Sequence, residues 1–212
     1  LSTERLFGWQ AALFPTGYSG LYPVRTGELR GDEPMRVVSG GAGREKVHFE
    51  APPRKGLDHE LNHFLAWFAM PPAGLDGLLR AGIAHLWFVT LHPFEDGNGR
   101  LARAITDMAL CRDEGQPLRM FSLSAQIMRN REAYYDALET TQRGGLDVTA
   151  WLAWFLAEVA AAFPGVPASL LNSSGHFLPG CPSYQITRPG YALYGGNPTP
   201  GKPNPMRPVV GL

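Results

Sequence analysis

The chain carries no surplus of either charge: Lys+Arg and Asp+Glu each number 19 in 212 residues. A domain that grips nucleic acid or an anionic membrane is usually strongly basic. Neither partner is expected here, and any anion binding must be local. Cysteine is nearly missing too. Cys111 and Cys181 stand apart, with no CxxC pair, so the cysteines indicate neither a zinc site nor a disulfide framework. Two isolated thiols suit a reducing compartment, and a cytoplasmic location, or delivery into a host cell as an effector, is expected. Long apolar runs are missing: Pro, His or charge interrupts each one before it reaches the length of a membrane span. No signal peptide opens the chain. It begins on Leu1 rather than Met, which reads as a fragment of a longer protein. Residues 165–212 contain no Asp or Glu and are rich in Pro and Gly, the composition of a disordered tail.

Hydrophobic residues make up 44% of the chain, enough for a core. Residues 3–14 predict a helix with Leu6, Trp9 and Leu13 on one face, ended by Pro15. The Gly- and Tyr-rich stretch after it reads as a loop. Met35–Val38 and Lys46–Phe49 predict two strands around a glycine-rich turn, a hairpin. Helical patterns then dominate. One covers His59–Met70 and stops at Pro71-Pro72. A second carries Leu75, Leu79, Gly82, Leu86 and Val89 and runs into Pro93. A third starts near Asn98, with Leu101, Ile105 and Met108 inward. A fourth spans Ser124–Gln142, with Ile127, Arg131, Tyr134 and Leu138 in line. A fifth starts near Asp147 as N-cap and holds Trp151, Phe155 and Val159. The fold class is mainly all-α with one small hairpin.

Between the second and third helices lies HPFEDGNGRLAR, His92–Arg103. A helix N-terminus offers N–H groups without intrahelical partners and the positive end of the dipole. Gly97 and Gly99 allow a tight turn and close approach, so the segment forms an anion nest suited to phosphate. Arg100 and Arg103, three apart, share a helix face beside it. Asp96 offers a hard oxygen of the kind Mg²⁺ accepts. His92 is a titratable base in the same loop. Together these are the parts for transfer at phosphorus to a hydroxyl. Singly, each has an ordinary reading. His92 before Pro93 can end a helix, Asp96-Gly97 is a turn signal, and Phe94 is a core residue. A calcium loop is rejected, because Arg100 and Leu101 stand where it needs Asp or Asn and Gly. Glu95 reads as solvent-facing and receives no role, and His48 and His85 read as packing or surface residues.

The run HPFxDGNGRxxR closely resembles the signature of the Fic family, with every specified position matched in order. LFGWQAALFP, GELR (Gly27–Arg30), VVSGGAGREKVHFEAPP and REAYYDAL resemble the surrounding core. The resemblance implies a Fic-type helical bundle over residues 1–164, with a flap at about 35–50, an active loop at 92–100, and the tail beyond. It implies a protein adenylyltransferase that moves AMP from Mg-ATP to a Ser, Thr or Tyr hydroxyl and releases pyrophosphate. His92 would deprotonate the hydroxyl. Asp96 would hold Mg²⁺ against the α- and β-phosphates. Gly97, Asn98 and Gly99 would cradle phosphates, with Asn98 neutralising charge on the α-phosphate. Arg100 and Arg103 would hold the β- and γ-phosphates. The hairpin would pair with an extended target segment, and its Val38 and Ser39 would contact the nucleotide. Tyr134, Tyr135 and Gln142 would line the nucleotide pocket.

The alternatives are a Fic-fold transfer of UMP or phosphocholine and a binding module without activity. Many relatives carry an inhibitory helix of pattern Ser/Thr-x-x-x-Glu-Gly/Asn. The only Glu-Gly here, Glu114-Gly115, has Leu110 four residues before it. An inhibitory helix is therefore expected upstream in the full-length chain or from an antitoxin partner. A homodimer is compatible with the sequence.

Overall fold

The computed structural model describes residues 1–39, 46–114 and 122–162. The tail from 165 onward and the glycine-rich tip of the hairpin lie outside these residues. The described residues group into two compact units. One comprises Leu1–Met70 and Trp87–Ala102, the other Pro71–Leu86 and residues 103–162. The sequence reading treated 1–164 as one core.

In the first unit, α1 (Thr3–Leu13) starts where Ser2 accepts the N–H of Arg5 and ends ahead of Pro15. Leu6 and Phe14 are buried. Gln10, also buried, donates to the Arg25 carbonyl at 3.0 Å and accepts from the Gly27 N–H at 2.7 Å, tying α1 to the following loop. That loop holds a small hairpin absent from the sequence reading, β1 (Tyr18–Ser19) paired antiparallel with β2 (Tyr22–Pro23). The expected hairpin is present as β3 (Arg36–Ser39) and β4 (Lys46–Glu50), with Val37 opposite Phe49, Val38 opposite Val47 and an irregularity between Val37 and Val38. Its sheet has two strands among the described residues. α2 (Leu57–Ala69) buries Leu57, Leu61, Phe64 and Phe68. The ring of Phe64 packs at 5.8 Å from that of Phe88.

α3 (Gly77–Leu91) opens where Asp76 accepts the Leu78 N–H at 2.8 Å. α4 (Asn98–Glu114) follows the active loop, and both helices contribute residues to each unit. In the second unit, α5 (Leu123–Arg129), α6 (Arg131–Arg143) and α7 (Thr149–Ala161) gather around Trp151 and Phe155, both fully buried. A Cβ at Gly82 would lie 2.9 Å from side-chain atoms of Leu152 and Phe155, so only glycine admits α7 here. The Trp151 indole N–H seals the contact on the Gly82 carbonyl at 2.8 Å.

Two expectations are corrected. The helix predicted over Ser124–Gln142 is two helices that meet at Asn130. The amide of Asn130, at that junction, donates to the buried Glu158 carboxylate of α7 at 2.9 Å. The last helix starts at Thr149, and Asp147 accepts the Thr149 N–H just ahead of it instead of acting as N-cap.

Candidate active site

α3 ends because Pro93 cannot continue it and because His92 leaves the helical region, with φ 48. A left-handed, non-glycine residue costs about 1–2 kcal/mol, so other contacts must hold it. The main one comes from Arg30, 2% exposed. Its Nε donates to the His92 carbonyl at 2.8 Å, its backbone N–H to the Pro93 carbonyl at 3.0 Å, and its terminal nitrogen to the Pro52 carbonyl. The Arg30 carbonyl in turn accepts from Arg54 at 3.0 Å, and Arg54 pairs with Asp58. Burial, then the nearby Arg54 charge, lowers the Arg30 pKa.

The His92 ring is partly exposed but densely surrounded. Nδ1 lies 3.2 Å from the Val89 carbonyl. A carbonyl oxygen only accepts, so Nδ1 carries the hydrogen and Nε2 keeps the lone pair. Burial pushes the pKa down to about 4; the Val89 bond opposes this, Arg30 adds to it and Asp96 opposes it. At neutral pH the imidazole is uncharged and can accept a proton at Nε2.

Phe94 is fully buried, with its ring 5.9 Å from Phe7 in an edge-on contact, as the sequence reading placed it. Asn98, 2% exposed, closes the loop on itself. Its Oδ1 accepts the Phe94 N–H at 3.0 Å and its Nδ2 donates to the Phe94 carbonyl at 2.8 Å. Both ends of this amide serve the loop, a role the sequence reading did not give it.

Gly97 has φ 93, and a Cβ there would meet Leu13 at 3.0 Å and Phe14 at 3.2 Å. The loop thus rests on the end of α1. Gly99 needs no left-handed backbone and lies in the first turn of α4. Of the two glycines credited with the turn, Gly97 alone makes it. Arg100 lies over the Phe14 ring at 4.7 Å and 3.7 Å from the Asp96 carboxylate.

Asp96 is held from two sides. Ser19 of β1 donates to Oδ2 at 2.6 Å, and the Gly97 N–H binds Oδ1. Its side chain remains 43% exposed, a hard, ionisable oxygen donor open to solvent. That donor chemistry fits Mg²⁺. Glu95 corrects the sequence reading, which left it idle. It accepts the Arg25 N–H at 2.9 Å and pairs with the Arg25 guanidinium at 3.2 Å. Sequence reasoning missed Arg30, Ser19 and Arg25. Of these only Arg30 carried a signal, as the last residue of GELR.

His92, Asp96, Gly97, Asn98, Gly99 and Arg100 all belong to the first unit, as do Val38 and Ser39 on β3. Arg103, Tyr134, Tyr135 and Gln142 belong to the second. There Tyr134 is 5% exposed, and its hydroxyl lies 3.0 Å from His85 Nε2. His85 is fully buried, with Nδ1 2.9 Å from the Thr106 hydroxyl. Burial, reinforced by the charge of Arg103, pushes His85 down to about 3. Tyr134 is therefore packed into the core of the second unit. Tyr135 is half-buried beside it, with Arg131 5.5 Å from its ring centre, and Gln142 is half-buried in the last turn of α6.

The fold these elements make is also that of a Fic family protein from Desulfovibrio desulfuricans G20. The likeness has a TM-score of 0.56 over 76% of this chain and 46% of that one. At 22% identity it concerns the fold alone. Residues 1–110 match the sequence model of the Fic/DOC family, and the chain belongs to that family. A separate, short likeness is to alanine racemases. Those of Methylobacterium sp. (strain 4-46) and Methylobacterium nodulans (strain LMG 21967 / CNCM I-2342 / ORS 2060) are 68% and 62% identical over 56 residues, 26% of this chain. The chain spans 15% of the length of each. No helix among the described residues is long and apolar enough to cross a membrane.

Proposed function

We propose that the protein is a Fic-fold transferase that moves AMP from ATP to a hydroxyl side chain of a protein. The supporting observation is the state of His92, an uncharged imidazole with Nδ1 on the Val89 carbonyl and Nε2 left as base, held beside the Asp96–Asn98 turn. Nε2 takes the proton of the incoming hydroxyl, whose oxygen attacks the α-phosphorus. The bond from that phosphorus to the α,β-bridging oxygen breaks, and pyrophosphate leaves with the electron pair. The first turn of α4 points N–H groups at the phosphates, and Arg100 and Arg103 supply positive charge. Asp96 would hold Mg²⁺, which neutralises polyphosphate charge when bound.

The β3–β4 hairpin suits the target. A two-stranded sheet can accept an extended segment by strand addition, as the sequence reading expected of the flap. An acidic group brought to Arg103 by another segment or a partner protein would compete with the γ-phosphate for the same donors. Likeness over 15% of a racemase's length carries no racemase activity across.

Incubation with Mg-ATP, Mg-UTP and CDP-choline, followed by intact mass of the chain and of added target proteins, tests the reading. The expected result is an AMP adduct from ATP, absent in His92→Ala. An adduct from UTP or CDP-choline alone refutes AMP as the group moved. No adduct from any, with ATP still bound, leaves a binding module.

A further inference from the structure

Near the start of α2 the sequence reads His59-Glu60-Leu61-Asn62-His63. A His-Glu-x-x-His run on a helix is the spacing that puts two imidazoles on one metal ion. At 100° per residue, His63 lies about 40° round the helix from His59 and Glu60 about 100°, so all three share one arc. The imidazole centres are 4.1 Å apart, with planes inclined by 56°. His59 Nδ1 lies 3.5 Å from Glu60 Oε1. One ligand atom from each residue falls within 4.8 Å of the others, and among the described residues no other His, Cys, Asp and Glu set of three is so gathered. All three side chains are exposed. The buried face of α2 is made by Leu57, Leu61, Phe64 and Phe68, so the core places no demand on the identity of residues 59, 60 and 63.

We propose that His59, Glu60 and His63 form a surface site for a divalent transition-metal ion, with Zn²⁺ the ion of choice. Two imidazoles and a carboxylate make a three-ligand set that suits zinc, copper or nickel, and water completes the coordination. The protease reading of the same letters does not apply. There the glutamate stays off the metal as a base, whereas Glu60 here points its carboxylate toward His59 on an open helix surface. The ion would bridge successive turns of a helix whose N-cap, Gly56, provides no side-chain hydrogen bond. Bound metal would therefore staple the beginning of α2 and raise the stability of the fold. The site is independent of the Asp96 loop and of the transferase reading. Its nitrogen ligands disfavour Mg²⁺, the ion that an oxygen donor such as Asp96 accepts.

The test is titration of the untagged protein with ZnCl2 by calorimetry, with thermal melts in Zn²⁺ or Mg²⁺. Expected are one Zn²⁺ per chain and a melting temperature that rises with Zn²⁺ but not with Mg²⁺. His59→Ala and His63→Ala should each weaken Zn²⁺ binding by about tenfold or more, since even the loss of a residue that merely supports a ligand costs that much. Glu60→Gln should weaken it less, and Asp96→Ala should leave it unchanged. These surface variants should keep the wild-type circular dichroism. Equal Zn²⁺ affinity in wild type and a His59→Ala/His63→Ala double variant, or no binding by wild type, would overturn the proposal.

Discussion

Arg30 donates its Nε–H to the backbone carbonyl of His92 at 2.8 Å, across 62 residues of sequence. The bond holds the one left-handed non-glycine residue among the described residues. Arg30 touches no reacting atom in the proposed reaction, so it acts as a positioning residue. Lysine keeps the charge but lacks the planar fork that reaches several carbonyls at once. Arg30→Lys and Arg30→Gln should lower kcat by about 10- to 100-fold, the effect of a small misplacement of a catalytic group, with KM for ATP little changed. In Arg30→Gln the His92 pKa should rise, because the guanidinium charge lowers it in the wild type. NMR titration of the His92 ring reads this directly. An unmoved His92 pKa together with full activity would show that Arg30 serves stability alone.

His92→Ala should reduce transfer by about 10²- to 10⁴-fold, the usual contribution of a positioned base, while ATP still binds. The wild-type pH profile carries a second test. With a pKa near 4, His92 stays neutral well below pH 6, so the acid limb of kcat/KM should fall near pH 4. An acid limb near 6.5, the ordinary histidine value, would show that burial does not lower His92 in this way.

Asp96→Ala should abolish divalent-metal dependence and weaken Mg-ATP binding. Mn²⁺ titration followed by electron paramagnetic resonance gives a readout that needs no turnover. Ser19→Ala frees Oδ2 of Asp96 from its hydroxyl partner and should shift metal affinity without removing it. Metal binding by Asp96→Ala equal to wild type would place the ion elsewhere.

Gly97→Ala should destabilise the first unit by about 1–3 kcal/mol, the usual cost of a residue forced into sparsely populated backbone. The added Cβ meets Leu13 at 3.0 Å and Phe14 at 3.2 Å in addition. Gly99→Ala, at a position with no left-handed backbone, should cost far less. Urea unfolding of the two variants makes the comparison.

Acid should destabilise the fold as pH falls below the ordinary histidine value. His85 and His92 are held to about 3 and about 4 in the folded chain, against 6.5 as the ordinary value. Both are depressed, so the unfolded chain binds the extra protons. The stability they confer is complete above pH 6.5 and is lost as pH falls toward 3–4. The slope should approach about 1.4 kcal/mol per pH unit for each histidine. His85→Gln should remove one histidine's share of the slope, as read by denaturant unfolding across pH 4–7.

The helices, the β3–β4 hairpin and the active loop were legible because periodicity, proline stops and one dense motif are local signals. What stayed hidden depends on distant partners. Nothing near Asn130 in sequence reveals its bond to Glu158 at the helix junction. The role of Glu95 required Arg25, and that of Asn98 required the loop to fold back on Phe94. The partner of Tyr134 is His85, whose burial no short pattern announces. The His59–His63 spacing is written in five consecutive residues, yet the sequence reading passed over it.

The contacts that set the active loop span great lengths of chain: 62 residues from Arg30 to His92, 70 from Arg25 to Glu95, and 77 from Ser19 to Asp96. Long closures of this kind cost chain entropy before they return any contact energy. Closure of the loop is therefore expected late in folding, after α1 and its hairpin. Competence for the proposed transfer then doubles as a report on completed assembly. A chain that has formed its helices but not these clasps has the motif and lacks the geometry that the proposed reaction needs.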